Sequence, residues 1–489
     1  MKKLVALLLA CMMLPVSMLT AFAAEDIYTV RWVMPGNEPD EMAKVIEAMN
    51  QKMEAEGKNF RLEVVRIPWD AWEQRSNLMI NTKEDFGLLH IMADQASVMG
   101  KDVLVDLKPM LDNYPNLKAK FTENEWAEAT NTKGEIVAVP AAWQVFQPLG
   151  ELSVRTDILA AVGKELPQTP DEVLEAGIAM KAYVEDQLGI KTYYWTQSTN
   201  YPAEWLERTY DTYPFYVDRV TNLWKVDQEG NVTSWFESEE FKKDAEFFFR
   251  MNEAGLISPD LLNKNEAWEV QNKGTLILGD CYNYGSRQAL RDAGFPEADL
   301  AFYFLDDAER VLPLTVGNMN GIPKSCTNPE AALAFLDWFY GDPANVQMLV
   351  YGIEGVHYTR IEGTENRVEF TKDAIGGQLY YFDNWEVGYY PYNLFSETEP
   401  EESIAKVTTP LAEGTFVVSP VAGFIFDETP VATEMANLRT EVVASMYPIK
   451  FGYVSYEDNI DTAIANLKAA GLDKVLAEYQ AQLNAFLGK

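Results

Sequence analysis

The chain of 489 residues contains only two histidines and three cysteines. Neither His90 nor His357 has cysteine, histidine or carboxylate neighbours at the spacing of a zinc site. No Gly-Lys pair is followed by Ser or Thr, and no Gly-x-Gly-x-x-Gly follows the first predicted strand. The sequence therefore gives no sign of a metalloenzyme, a P-loop protein or a dinucleotide-binding protein, and we expect no metal and no cofactor.

Basic residues are also scarce. There are 40 Lys and Arg against 75 Asp and Glu, which gives a formal charge of −35. A surface this negative repels phosphate backbones and anionic headgroups, so nucleic acid is excluded as an expected partner. Apolar residues make up 47% and charged residues 24%, which is ordinary globular composition, and the length suggests two or three domains.

The amino terminus has the pattern of an export signal. Lys2 and Lys3 precede an apolar stretch at 4–19, and a small-x-small pattern ends at Ala23. This predicts a signal peptide over residues 1–23 and a location that is extracellular, periplasmic or at the cell surface. The stretch that ends at Cys11 also resembles a lipobox, so a lipid anchor is the alternative. The other two cysteines, Cys281 and Cys326, are expected to be free thiols.

Hydrophobic periodicity predicts an α/β fold. Apolar runs at 28–34, 60–67 and 88–92 indicate buried strands, and amphipathic stretches between them indicate two helices. This β-α-β-α-β order opens a parallel sheet. Farther along, we predict helices at 169–188, 239–254 and 473–487, a hairpin turning at 227–230, a strand at 275–279 and an extended crossing at 140–143.

Ligands of open α/β sheets bind beyond the carboxyl ends of the strands. The residues that follow the first three strands are therefore candidate ligand-binding residues: Asn37, Glu38, Trp69, Asp70, Asp94 and Gln95. The chain is also rich in aromatic residues, with 12 Trp and 24 Tyr, many beside amides and carboxylates. A pyranose ring stacks on aromatic faces and its hydroxyls need such polar partners, so this combination favours a carbohydrate ligand. Trp72, one helical turn from Trp69, is assigned to the core.

Several segments resemble the extracellular solute-binding proteins of ABC transporters, family 1, the sugar-binding type. They occur in the order expected for that family over nearly the whole chain: VDLKPML (105–111), GEIVAVP (134–140), RTDIL (155–159), PQTPDE (167–172), NPEAALAFL (328–336), YGIEGVHY (351–358) and LKAAGLDK (467–474). The last two resemble one branch of large members.

This resemblance implies a two-lobed periplasmic-binding-protein-like (type II) fold with a hinge and an interlobe cleft. The implied division is a first lobe at 24–142 plus about 300–355, and a second lobe at 143–299 plus about 356–489. The positions that line the cleft in the family fall on Trp143, Gln144, Trp195, Tyr282 and Trp385.

The resemblance also implies a monomeric, non-enzymatic receptor that hands a carbohydrate, expected to be an oligosaccharide, to the permease subunits of an ABC importer. Two alternatives remain open at the level of sequence. One is a receptor for a non-sugar solute such as a peptide, and the other is a secreted enzyme that acts on glycans. Binding without product release would separate a receptor from an enzyme.

Overall fold

The computed structural model describes most of the chain after the export signal. It covers residues 27–92, 97–131, 133–145, 150–189, 191–195, 203–262, 276–279, 286–292, 294–306, 308, 310–312, 317–374, 376–411 and 416–489. The predicted signal peptide with Cys11, and the candidates Asp94, Gln95 and Tyr282, lie outside the described residues, as does Cys281. Trp195 is described only through the strand that contains it.

The first sheet has five strands and holds the predicted β-α-β-α-β unit. Its order across the sheet is Phe60–Ile67, Tyr28–Pro35, Leu88–Met92, Asn318–Gly321 and Ala138–Pro140. Tyr28–Pro35 is parallel to both of its neighbours, whereas Asn318–Gly321 is antiparallel to both of its own. The four strands other than Asn318–Gly321 therefore all end at the same edge, which we call the carboxyl edge.

The second sheet has four strands in the order Leu300–Tyr303, Leu152–Arg155, Leu276–Gly279 and Tyr193–Trp195. Leu152–Arg155 is antiparallel to both neighbours. Three smaller sheets complete the strands: Tyr216–Val217 with Trp224–Val226 and Val232–Ser234, Arg310–Leu312 with Phe416–Val418, and Tyr358–Arg360 with Arg367–Phe370 and Phe395–Ser396. The predicted strand near 275–279 and the hairpin are confirmed.

The α-helices surround these sheets, and their ends follow the capping residues. Thr169 caps the helix that begins at Pro170, and Gly189 ends it with a positive φ of 66°. The α-helices are Met42–Ala55, Trp69–Asn81, Ser97–Gly100, Pro115–Lys118, Glu123–Glu128, Thr156–Ala161, Pro170–Tyr183, Glu204–Glu207, Glu239–Glu253, Ser286–Asp292, Pro329–Gly341, Pro343–Tyr351, Asn384–Val387, Glu401–Thr408, Ala432–Glu441, Tyr447–Lys450, Tyr456–Ala470 and Leu472–Phe486. Wider or tighter turns occur at Leu111–Asn113, Val184–Leu188, Tyr390–Tyr392, Thr429–Val431 and Val442–Met446.

The hydrophobic residues form separate cores around the two sheets, which confirms the two-lobed α/β fold. In the first lobe Trp32 makes edge contacts with Phe335 and Phe339, at ring-centroid distances of 5.8 and 5.6 Å. The opposite face of that sheet packs on Trp72, which is buried as predicted. The second lobe takes its core from its own sheet and from the carboxyl-terminal helices, and Tyr479 packs on Trp224 at 4.3 Å.

The residues of these cores place two segments in a different lobe from the one that was predicted. Leu300–Tyr303 pairs with Leu152–Arg155 and so belongs to the second lobe. Tyr358, Val368 and other residues up to Leu394 are buried in the first-lobe core, although residues from 356 onward were expected in the second lobe. The apolar contacts of these segments decide where they pack. The predicted crossing is consistent with Ala142 lying in the first core and Leu152 in the second.

Gly452 provides a test of how tightly the carboxyl-terminal helices pack on the second lobe. Its φ is +67°, and a Cβ there would lie 2.3 Å from Phe249 Cα and 2.5 Å from the Phe248 carbonyl oxygen. We expect Gly452→Ala to lower the free energy of unfolding by about 3 kcal/mol, through backbone strain and overpacking. Gly57→Ala is the matched control, because its φ is +69° with no atom within 4 Å, and it should cost about 1 kcal/mol. Equal losses in urea unfolding would contradict the packing argument.

Candidate functional site

The carboxyl edge of the first sheet brings together several residues predicted from the sequence. Asn37 and Glu38 follow Tyr28–Pro35, while Trp69 and Asp70 follow Phe60–Ile67, and all four are exposed. Trp143 and Gln144 are half-buried and follow Ala138–Pro140 at the same edge. The edge therefore offers aromatic, amide and carboxylate groups to solvent, as the ends of parallel strands do in α/β ligand sites.

Trp69 and Trp385 form a stacked pair at this edge. Their ring centroids are 5.8 Å apart and their planes are inclined by 27°. The Trp69 residue is 51% exposed, which is unusual for a large aromatic side chain of a soluble protein. Trp385 also meets the ring of His90 edge-on at 5.2 Å. The pair thus has a buried side that rests on the sheet and an open side that faces solvent.

Trp385 belongs to a segment that crosses the whole carboxyl edge, and we call residues 383–393 the strap. Arg66, on one outer strand, forms an ion pair with Asp383 at 2.8 Å. Asn320, on the inner strand Asn318–Gly321, donates its Nδ2 hydrogen to the Glu386 carbonyl at 2.9 Å. At the other outer strand the Tyr390 N–H donates to the carbonyl of Ala142 at 2.7 Å. Four inter-strand spacings make this span about 19 Å.

The strap also contacts the segment that leaves the first lobe. Asn393 donates its Nδ2 hydrogen to the Trp143 carbonyl at 2.9 Å and accepts a hydrogen bond from Asn384 at 3.0 Å. Tyr390 is half-buried next to this point. The segment that contains Trp143 is therefore joined to the strap, and the structure adds Tyr390 of the strap as a candidate that the sequence did not indicate.

A buried polar group lies beneath the Trp69–Trp385 pair. His90 and Asn320 are both completely buried, and His90 Nδ1 lies 3.3 Å from Asn320 Oδ1. The same oxygen accepts a hydrogen bond from Trp32 Nε1 at 2.8 Å. Burial lowers the pKa of His90 to about 4 and raises the pKa of Glu386 well above its usual range, against the opposing effect of Arg66. His90 is therefore neutral at physiological pH.

The sequence-based set missed Arg66, His90, Asn320, Asp383 and Glu386. None of them is part of a motif, and each acquires its role from contacts with residues distant in the chain. One signal was available: Arg66 is a charged residue immediately before Ile67, the buried last residue of a predicted strand. A charge at that place needs a partner from another segment, although the sequence does not say which.

The site offers stacking surfaces and hydrogen-bonding groups. Glu38 and Asp70 place exposed carboxylates in the segments that follow the first two strands, while Arg66 is buried against two acidic partners. Within the described residues, no group of three or more His, Cys, Asp or Glu side chains is placed to hold a metal ion. In the same part of the chain, no helix combines the length and apolarity needed to cross a bilayer.

Comparisons with known proteins agree with this architecture. Residues 420–488 match the family model "Domain of unknown function (DUF3502)". A carbohydrate ABC transporter substrate-binding protein of Streptococcus pneumoniae is 23% identical over 476 residues, which cover 94% of this chain and 91% of the relative. This likeness confirms the resemblance to sugar-binding proteins of ABC transporters that the sequence segments indicated.

Solved structures with the same fold include solute-binding proteins. The N-glycan transport solute-binding protein of Streptococcus pneumoniae, in complex with Man1GlcNAc, has a TM-score of 0.73 at 20% identity and covers 94% of this chain and 100% of its own. An HMO-binding, ABC-transporter-associated solute-binding protein of Bifidobacterium longum infantis has a TM-score of 0.67 at 16% identity, and the match covers 94% of this chain and 99% of that protein. These likenesses confirm the two-lobed fold.

The buried His90 predicts a specific dependence of stability on pH. The folded protein holds a neutral imidazole down to about pH 4, whereas the unfolded chain binds a proton below about 6.5. Its contribution is therefore complete above pH 6.5 and is lost as the pH falls to 4, by about 3 kcal/mol in total. Chemical denaturation across this range should show that loss in the wild type relative to His90→Gln. Parallel pH profiles of the two proteins would contradict the assignment.

Proposed function

We propose that this chain is the solute-binding component of an ABC importer, exported from the cytoplasm, that binds an oligosaccharide in the cleft between its lobes and delivers it to the membrane permease. The observation that carries the proposal is the exposed, stacked Trp69–Trp385 pair at the carboxyl edge of the first sheet. The resemblance over nearly the whole chain to a carbohydrate ABC transporter substrate-binding protein supports it.

The chemistry of the surface fits a sugar chain. The open face of the Trp pair suits the apolar C–H face of a pyranose, and Asn37, Asp70 and Gln144 supply partners for its hydroxyls. The exposed carboxylates disfavour an acidic sugar, so we propose a neutral ligand. A carboxyl edge about 19 Å wide, with aromatic residues near both ends, suits several sugar units better than one.

The ligand would be held between the lobes. Trp195 and Tyr282 are the proposed ligand contacts from the second lobe, and Asp94 and Gln95 are further proposed contacts from the first lobe. The chain passes from one core to the other between Ala142 and Leu152, and again within 300–319 and 394–421, so bending at these connections would move each lobe as a unit. We propose that the protein is a monomer and a receptor without catalytic activity.

Glycan binding tests the proposal directly. Wild-type protein should bind mannose-containing N-glycans or other neutral oligosaccharides on a glycan array, with no product released on incubation. Trp69→Ala and Trp385→Ala should each lose about 1–3 kcal/mol of binding free energy, because stacking on the pair is removed. Leu78→Ala is the control, since Leu78 is 48% exposed on the same helix as Trp69. Binding of peptides alone, or cleavage of a glycan, would replace the proposal by one of the alternatives.

Lobe closure gives a second prediction. A ligand that touches both lobes stabilises only the closed form, so saturation with the bound glycan should reduce the radius of gyration in small-angle scattering. If about 1% of the free protein is closed, opening weakens the observed affinity about a hundredfold, or about 2.7 kcal/mol. An unchanged radius at saturation would leave a rigid surface groove and rule out a clamp.

A further inference from the structure

Arg66 is a buried cation that contacts two segments of the candidate site, the loop after the first strand and the strap. Its side chain is 2% exposed, and it forms ion pairs with Asp383 at 2.8 Å and with the fully buried Glu386. Its Nε donates to the carbonyl of Asn37 at 3.2 Å. The guanidinium also lies 4.7 Å from the centre of the Phe382 ring. These contacts tie the loop after the first strand to the part of the strap that carries Trp385.

The two acidic partners of Arg66 flank Trp385 in the strap. Asp383 precedes the single helical turn Asn384–Val387, and Glu386 lies within it. A turn of four residues has no stability of its own in water, so its position depends on tertiary contacts. Asn320 supplies one such contact, to the Glu386 carbonyl. Tyr340 supplies another, to the Val387 carbonyl at 3.0 Å. Arg66 supplies two more, to Asp383 and Glu386 on either side of the tryptophan.

Gly36 leaves the space that the guanidinium occupies. A Cβ at this position would lie 2.3 Å from Arg66 Nη2, and the φ of Gly36 is +100°. The loop after the first strand is therefore shaped around the arginine. This close approach is independent of the ion pairs, because it involves the backbone of the loop after the first strand and not the strap.

A buried ion cluster of this kind contributes little to net stability, since desolvation offsets most of the attraction between the charges. What an arginine adds is geometry, because its planar fork holds two carboxylates in fixed directions, which a lysine does not. We infer that Arg66 is a positioning residue that holds Trp385 against Trp69 before any ligand arrives. Because the Trp69–Trp385 pair is ordered in advance, ligand binding does not have to include the entropic cost of ordering it.

The positioning role can be measured without ligand. Two indoles stacked at 5.8 Å couple their transitions, so the wild type should show a couplet in its circular dichroism that Trp69→Phe and Trp385→Phe both remove. Arg66→Lys should lose most of that couplet while keeping the rest of the spectrum. Arg61→Lys, an exposed position on the same strand, should leave it unchanged. A full couplet in folded Arg66→Lys would overturn the inference.

A second variant covers the case in which Arg66→Lys does not fold. Glu386→Gln keeps the shape and an acceptor but removes the charge partner inside the turn, and it should reduce the couplet partially. The consequence for binding depends on the proposed function: with Man5GlcNAc as the probe, Arg66→Lys should weaken affinity about tenfold, and Arg61→Lys should not. If wild type does not bind this glycan, the proposed function is in question, whereas the spectroscopic result still decides the role of Arg66.

Discussion

The candidate site depends on how the strap is fixed to the carboxyl edge of the first sheet. Three of its attachments start from Arg66 on one outer strand, Asn320 on an inner strand and Ala142 just after the other outer strand. Arg66 and Asn320 are buried polar groups whose side chains need these partners, since an unpaired polar group in the interior is costly. The strap therefore has a defined position, and the tryptophan that it carries has one as well.

The rest of the architecture separates this rigid surface from the second lobe. Each sheet has its own apolar core, and the chain passes between the cores at 142–152, 300–319 and 394–421. The segment that matches a domain of unknown function is not an appendage. Its helices bury Leu467, Tyr479 and Leu483 in the second-lobe core, so it is an integral part of that lobe.

Local sequence patterns predicted several of the strands and helices. The alternating apolar residues of Tyr28–Pro35 and the helical stripe of Met42, Val45, Met49 and Met53 gave the strand and helix that the structure contains. Thr169 with Pro170, and the glycines at helix ends, predicted boundaries because capping acts over a few neighbouring residues. The parallel order of the first strands then predicted that Asn37, Trp69 and Asp70 lie at one edge of the sheet.

The sequence by itself thus determined the fold class, several of the strands and helices, and the placement of the candidates that follow the first two strands. Only the tertiary structure decided that Trp385 stacks on Trp69, that Arg66 holds the strap, and that residues 358–394 pack with the first lobe. The physical reason is the range of the interactions. Periodicity and capping act between neighbours, whereas an ion pair between residues 66 and 383 depends on where two distant segments meet, which local pattern does not encode.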